Sequence, residues 1–398
     1  MQSIEKQNNF YRPEIDGLRS FAIFAVVLNH FNESIFPGGY LGVDVFFVIS
    51  GYVITSSIAR RKYKNFQDFI FGFYIRRLRR LLPALLFFVL VMDIIICFFN
   101  PDPRYAIKTS ISALFGLSNL YQFNSSFDYF SESVELNPFT HTWSLGVEEQ
   151  FYFVFPILIW LSGFAKRRKN SFKNLFLITI SVSIASLSSF IYFYQTNFAA
   201  AYLLMPNRIW EMATGCLIFL GLQKSTKFEA LINYIPPMIY LSGIVGVMFL
   251  PTNYGMLATI LIVILSSFLI VSLKKTTLIN SLFSLKPIVY IGLLSYSIYL
   301  WHWGILSISR WTIGLNVRNL PFQIILILLL SFFSYECIEK KLSKKLSNYS
   351  KRHNLFFGIG SLLVAFTSIY FLIFKNTSTL YLGKIGDQNR SLINFNDK

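Results

Sequence analysis

Two side chains of one apolar segment have the types and the spacing of a catalytic pair. Arg19 and His30 are eleven residues apart, which in an α-helix is about three turns and ~16 Å, so they fall on one helix face. Arginine is a permanent cation that binds anions, whereas histidine titrates near neutrality and can act as a base. The alternative is structural: an arginine at a helix end and a hydrogen-bonded histidine in the core.

An arginine cluster, RRLRR at residues 76–80, precedes an apolar block that begins at Leu81. Pro83 is expected in the first turn of that membrane helix. Arg77 and Arg80 are three residues apart, so on a helix they would share a face and could hold a phosphate or pyrophosphate bidentately. The alternative is an ordinary cationic anchor at a membrane surface.

A third segment combines an imidazole, an indole and a carboxylate within about two helical turns. It contains His141, Trp143 and Glu148, a combination that suits a hydroxyl-bearing acceptor. A similar group surrounds His302, which lies between two tryptophans. For both segments the alternative is an aromatic belt at the membrane interface.

Other ionisable residues lie inside apolar blocks: Asp44, Asp93, Arg208, Glu211 and Glu336. Such groups cost about 2.5–3.5 kcal/mol each to insert into a membrane, and they are therefore functional candidates by default. The alternative is that opposite charges pair inside a helical bundle. No metal-ligand spacing, phosphate-binding loop or dinucleotide fingerprint is present in the sequence, and no metal is expected.

The elements that must position these residues are membrane helices. Apolar residues make up 54% of the 398 residues, charged residues 14%, and the mean hydropathy is +0.52, whereas a soluble chain is about 25% charged. The apolar blocks approach the ~20 residues that cross a bilayer. We expect an all-α polytopic membrane protein with about ten transmembrane helices and an eleventh C-terminal span. The expected spans are 18–36, 40–58, 81–99, 149–165, 174–194, 203–221, 231–250, 254–273, 287–307, 321–338 and 354–375.

The net charge of +17 does not indicate nucleic acid, because the cations lie in short loops between apolar blocks. With the N-terminus inside, the positive-inside rule places every basic cluster in the cytoplasm. These clusters are at 60–64, 76–80, 166–173, 224–227, 274–275 and 340–352. To preserve this asymmetry, residues 107–123 must form a re-entrant or interfacial helix, and the loop 124–141 must lie outside.

The three cysteines lie in or at the ends of the expected spans, which argues against a disulfide framework. The polar N-terminus, residues 1–16, has no small-residue cleavage site, so no cleaved signal peptide is expected.

Taken together, these segments resemble the acyltransferase-3 family of integral-membrane acyltransferases. The stretches that carry the resemblance are YRPEIDGLR (11–19) running to His30, GGYLGVDVFFVISG (38–51), FYIRRLRRLLP (73–83), NPFTHTWSLGVEEQFY (137–152), NRIWE (207–211) and LSYSIYLWH (294–302). They cover roughly residues 11–340 in the family's order.

The resemblance implies transfer of an acyl group, expected to be acetyl, from cytoplasmic acyl-CoA to a hydroxyl of an extracytoplasmic sugar. His30 would be the base or a covalent acyl carrier, and Arg19 would orient the cofactor or tune His30. Glu148 would align the acceptor or complete the hydrogen bonding of the imidazole. The arginines that would hold the CoA phosphates are Arg76, Arg77 and Arg80. Residues expected on the acceptor side are Asp44, His141, Trp143, Arg208, Glu211 and His302.

The resemblance also implies a domain plan and a location, the bacterial cytoplasmic membrane. Residues 1–340 form the acyltransferase domain, 341–352 a cytoplasmic basic loop, 353–375 an extra outward span and 376–398 a short extracytoplasmic tail. Larger members continue into an SGNH-type esterase-like domain after this span. The expectation is that the enzyme acts alone, that a separate SGNH-type partner completes it, or that the chain is truncated.

Two other classes share some of these features. A transporter or flippase for a lipid-linked sugar would have a similar span count, but it predicts an internal repeat with paired broken helices. A binding or sensor protein without catalytic activity would lack the first-span histidine, and His30 is present.

Overall fold

The computed structural model describes residues 11–125, 135–224, 226–273, 277–375 and 380–383. The chain divides into two compact units. The first unit comprises Met1–Ile70 and Val147–Tyr299, and the second unit comprises Phe71–Gly146 and Leu300–Lys398.

Within the described residues the secondary structure is helical. In chain order the helices are α1 (Pro13–Phe31), α2 (Gly42–Ala59), α3 (Phe66–Phe99), α4 (Arg104–Leu114), α5 (Ser118–Asn124), α6 (Trp143–Leu161), α7 (Ser171–Thr196), α8 (Phe198–Leu203), α9 (Met205–Lys224), α10 (Thr226–Asn233), α11 (Pro237–Val247), α12 (Gly255–Ser272), α13 (Leu278–Phe283), α14 (Lys286–Trp311), α15 (Leu320–Phe333), α16 (Lys340–Ser347) and α17 (Lys351–Lys375). A π-helical turn, Ser334–Glu339, joins α15 to α16.

Eight helices of the described chain are long and apolar enough to cross a membrane. They coincide with eight of the eleven expected spans, which confirms the all-α polytopic fold. The expected spans 18–36, 203–221 and 231–250 correspond to α1, α9 and α11. The sequences of α1 and α9 carry several ionisable residues, which lower their hydropathy, and α11 has only 11 residues.

The expected single helix over 107–123 is wrong in detail, because two short helices, α4 and α5, occupy it. The break falls at Gly116, whose φ of 68° is a left-handed conformation that favours glycine. The longer of the two has 11 residues, about 16 Å of helix, which is too short to cross ~30 Å of hydrocarbon. The expected outer loop, 124–141, is only partly seen, since 126–134 lie outside the described residues.

The third expected span begins earlier than its apolar block. Helix α3 starts at Phe66 and has 34 residues, so the cluster at 76–80 lies within the helix and Pro83 is in its interior rather than in its first turn. The basic loop expected at 341–352 is also partly helical, because α16 continues to Ser347 and α17 begins at Lys351. Of the expected tail, 376–379 and 384–398 lie outside the described residues.

The first unit is built around a close crossing of α2 and α9. A Cβ on Gly51 would lie 1.8 Å from the carbonyl oxygen of Met212, and one on Gly215 would lie 2.0 Å from that of Val48. Only glycine permits this approach, so these two residues set the distance between the helices. The crossing brings polar side chains of both helices into one buried cluster.

In the second unit the last turns of α14 hold the segment that leads into α6. The indole of Trp303 donates to the carbonyl oxygen of Asn137 at 2.8 Å, and that of Trp311 donates to Leu136 at 2.9 Å. Arg310 forms an ion pair with Glu135 at 3.0 Å. These contacts anchor the chain just before the turn that contains His141.

Candidate active site

Helix α1 carries both members of the expected catalytic pair. Arg19 lies almost two turns from the start of α1 and forms an ion pair with Asp16 at 3.2 Å, with side chains 15% and 12% exposed. His30 is half-buried in the last turn. Its neighbour Asn29 is buried and donates to the carbonyl oxygens of Phe36 and Pro37 at 2.9 and 3.0 Å. The end of α1 that presents His30 is therefore tied to the loop that follows it.

Glu148 is held by two hydroxyl groups of the first unit. Ser50 of α2 and Tyr152 of α6 both donate to Oε1 of this carboxylate. Neither residue was expected from the sequence. Tyr152 could have been found from its i,i+4 spacing to Glu148, whereas Ser50 lies 98 positions away and is brought close only by packing. Two donors on one oxygen stabilise the charged carboxylate and fix its orientation.

Three expected acceptor-side residues form one buried ion cluster. Arg208 of α9 donates to Oδ1 of Asp44 at 2.7 Å and lies 3.1 Å from Oε1 of Glu211. Their side chains are 2%, 3% and 0% exposed. The guanidinium also lies over the rings of Phe47 and Tyr202, at 5.8 and 5.4 Å from the ring centroids. One cation therefore faces two carboxyl groups in a site without water-exposed surface.

The arginine cluster is in the second unit, on the helical surface of α3. Arg77 lies over the ring of Phe73, 4.8 Å from its centroid, and Arg80 is exposed. Nη1 of Arg76 and Nζ of Lys351 lie 3.2 and 3.8 Å from the position that a Cβ on Gly72 would take. Lys351, on α17, therefore joins the cluster, although it is more than 270 positions away in sequence.

The two expected acceptor-side histidines meet in the second unit. The rings of His141 and His302 are 5.6 Å apart and nearly perpendicular, and His141 also packs edge-on against Phe88 at 5.6 Å. His141 is 1% exposed, His302 0% and Trp143 1%. Buried aromatic packing of this kind favours the structural interpretation of these three residues.

The expected site residues thus fall into two groups. The first unit contains Arg19, His30, Asp44, Glu148, Arg208 and Glu211. The second unit contains Arg76, Arg77, Arg80, His141, Trp143 and His302. In the described part of the chain, His, Cys, Asp and Glu form no group of three or more that could hold a metal ion.

Comparison with known proteins shows the family of this chain. A family model described as an acyltransferase domain matches residues 12–336. The chain is 31% identical over 350 residues to O-acetyltransferase OatA of Staphylococcus aureus (strain NCTC 8325), with 84% of this chain and 58% of that protein covered. It is 29% identical over 369 residues to peptidoglycan O-acetyltransferase OatA of Listeria monocytogenes serovar 1/2a, with 88% and 59% covered. The chain therefore spans less than two thirds of these curated relatives. No solved structure matches.

Proposed function

The chain belongs to the acyltransferase-3 family of membrane proteins, and we propose that it is an O-acetyltransferase that transfers an acetyl group from cytoplasmic acetyl-CoA to a hydroxyl of an extracytoplasmic glycan. Peptidoglycan is the proposed acceptor, because one relative is named for that activity. Membership of this family favours an enzyme over a sugar transporter or an inactive sensor, since the family model covers the segments that contain His30, the arginine cluster and Glu148.

The donor is proposed to bind at the arginine cluster of α3. Arg76, Arg77 and Arg80, together with Lys351, supply several cations on one helical surface. The phosphates of CoA carry several negative charges, and guanidinium groups bind phosphate oxygens bidentately. The positive-inside rule puts this end of α3 in the cytoplasm, where acetyl-CoA is made.

His30 is the proposed catalytic residue. Acting as a base, its neutral imidazole accepts the proton of the sugar hydroxyl as the oxygen attacks the thioester carbonyl. The C–S bond breaks, an ester C–O bond forms, and the CoA thiolate leaves and is protonated. In the alternative two-step route the imidazole itself takes the acetyl group and then passes it to the hydroxyl.

Arg19 and Glu148 are proposed to support this step. Arg19 lies three turns along α1 from His30 and is paired with Asp16. Its guanidinium would orient the donor. Glu148, oriented by Ser50 and Tyr152, would position the acceptor hydroxyl. A separate SGNH-type protein as a partner in acceptor transfer is a further hypothesis.

The observation that carries the proposal is the placement of Arg19 and His30 on the single helix α1 in a chain of this family. The test is mass spectrometry of cell-wall glycans from cells with and without the gene. We expect O-acetylated muropeptides, 42 mass units heavier for each acetyl group (about the mass of C₂H₂O added when an ester replaces a hydroxyl), to disappear without it. Unchanged acetylation of every surface glycan would refute the proposal.

A further inference from the structure

A row of aromatic side chains runs along α7 and α8 at i,i+4 spacing: Phe190, Tyr194, Phe198 and Tyr202. Each ring contacts the next, with centroid distances of 5.5, 5.0 and 6.0 Å, and the last pair is stacked with an interplanar angle of 23°. Phe190 is 1% exposed, whereas Phe198 is 36% exposed. The row therefore leads from the surface of the first unit into its interior.

This row forms one wall of a cavity. The other lining residues are Tyr40, Arg208, Gly255 and Thr259. The free space is about 260 Å³ including open solvent, of which about 20 Å³ can hold the centre of a water-sized probe, which is room for about one water molecule. The cavity is thus a shallow recess that admits only a small polar group such as a hydroxyl.

Gly255 keeps the inner part of the cavity open. A Cβ at this position would lie 2.4 Å from the hydroxyl oxygen of Tyr194 and 3.7 Å from that of Tyr40. Any larger residue would displace the Tyr194 hydroxyl. The absence of a side chain here leaves two phenolic hydroxyl groups, each a donor and an acceptor, beside the free space.

Hydrogen bonds hold the wall in place. Asn197 caps α8 by accepting from the Ala200 amide at 3.0 Å, and Asn207 donates to the Ala200 carbonyl oxygen at 2.7 Å. Ser189 of α7 donates to Oδ1 of Asn207 at 2.5 Å. The break between α8 and α9 is therefore fixed, and the cavity is preformed, as ligand pockets usually are.

The charges beside the cavity select against a phosphate ligand. Arg208 is 2% exposed and already faces the carboxyl groups of Asp44 and Glu211. The cluster has no surplus positive charge that could attract phosphate, in contrast to the arginines of α3. Aromatic rings together with hydroxyl groups and one guanidinium, the groups that line the cavity, instead suit a neutral, polyhydroxylated ligand, because aromatic faces pack against C–H groups while the polar groups fix orientation.

We propose that this cavity is an acceptor subsite that binds one N-acetylhexosamine unit of the glycan. The sugar ring packs on Phe198 and Tyr202 at the mouth, and one of its hydroxyl groups enters the recess beside Tyr40 and Tyr194. This inference rests on the proposed function, because it takes the acceptor to be a glycan.

The test is direct binding of N,N′-diacetylchitobiose to the full chain in nanodiscs, measured by calorimetric titration without acetyl-CoA. Gly255→Ala pushes the Tyr194 hydroxyl into the cavity, and Phe198→Ala removes the exposed ring of the row. We expect each to raise the disaccharide Kd at least tenfold and to leave acetyl-CoA affinity unchanged. The matched controls are Gly246→Ala, where a Cβ meets no atom within 4 Å, and Tyr192→Ala, an exposed ring outside the cavity.

The outcomes separate this inference from the proposed function. His30→Ala should bind the disaccharide as the wild type does. If cells show no acetylation linked to the gene while the two cavity variants weaken disaccharide binding, the subsite stands and the proposed reaction fails. A lipid-linked disaccharide in the same nanodiscs distinguishes a lipid-linked precursor from the polymer as the acceptor. Binding tighter than that of the free disaccharide indicates a precursor, and equal binding indicates the polymer.

Three results would overturn the subsite. The first is that the wild type does not bind the disaccharide at millimolar concentration. The second is that the wild type and both cavity variants have equal Kd values for the disaccharide. The third is that native mass spectrometry shows a phospholipid that the wild type retains and the Gly255→Ala variant loses.

Discussion

Substitution of Arg208 should destabilise the first unit far more than substitution of its partner Glu211. The change Arg208→Gln leaves the carboxyl groups of Asp44 and Glu211, 3% and 0% exposed, without their cation. Removing one partner of a buried ion pair costs about 3–5 kcal/mol, because a charge remains uncompensated in a medium of low dielectric constant. We therefore expect the free energy of unfolding to fall by about that amount.

The partner Glu211 should behave differently because the cluster holds one carboxyl group more than it can neutralise. Desolvation strongly disfavours a second buried negative charge beside a single cation, so loss of one of the two carboxyl charges should be tolerated. Asp44 receives the 2.7 Å hydrogen bond from Arg208, whereas Glu211 lies 3.1 Å from Nε, so Glu211 is the carboxyl group that we expect the cluster to tolerate losing. Glu211→Gln preserves shape and hydrogen-bonding capacity and should cost only about 1 kcal/mol.

The measurement is SDS titration of the purified full chain in mixed micelles. The control is Arg310→Gln, which breaks a pair of similar length, 3.0 Å, but whose glutamate, Glu135, is 47% exposed. Because one partner of this pair is half exposed, solvent screens it, and we expect its loss to cost about 1 kcal/mol. The reasoning is refuted if Glu211→Gln is as destabilising as Arg208→Gln, or if Arg208→Gln costs no more than the control.

The remaining predictions concern catalysis, donor binding and topology. His30→Ala and His30→Gln should each lower glycan acetylation at least about a hundredfold, the lower bound for loss of a general base. Membrane insertion and acetyl-CoA binding should be unchanged. Retention of more than a tenth of the wild-type activity by the glutamine variant would contradict a catalytic role. In the wild type the rate should rise with pH, because only the neutral imidazole can accept a proton or an acyl group. Changing Arg77 and Arg80 together to alanine should weaken acetyl-CoA binding, and changing both to lysine should restore little of it, because an ammonium lacks the bidentate fork. The matched control is the double alanine change at residues 60–61, two exposed arginines of another cluster. Full acetyl-CoA affinity in the Arg77 and Arg80 alanine variant would make the cluster a topological anchor. A cysteine placed at Ser131, which lies outside the described residues, should react with an impermeant reagent in intact cells, and reaction only after lysis would show that the predicted topology is wrong.

Several features of the protein could be predicted from the sequence because they depend on local patterns. Hydropathy over ~20 residues predicted eleven spans, and eight of them coincide with helices of membrane length in the described residues, since burying a long apolar segment does not require knowledge of its partners. The helical spacing of Arg19 and His30 was likewise predictable from residue number alone. Three expected spans do not coincide with a helix that is long and apolar enough to cross a membrane. In these spans, polar residues or a short helix weaken the hydropathy signal.

Other local details were wrong for physical reasons. Helix α3 continues through the arginine cluster, because the long apolar stems of arginine tolerate a helix that extends beyond the hydrocarbon. The segment 107–123 is broken at Gly116, whose positive φ is a property of the backbone that hydropathy does not report.

What the sequence by itself determined is therefore the class of fold, the family and the residue types available for chemistry. Only the tertiary structure decided which of them meet. Ser50 reaches Glu148 across 98 positions, Asp44 reaches Arg208 across 164, and Lys351 joins the cations of α3. It also brought the buried rings of His141 and His302 to within 5.6 Å of each other. The reason is that pairing between distant segments depends on how closely two helices approach, and this distance is set by packing at residues such as Gly51 and Gly215 rather than by either segment alone.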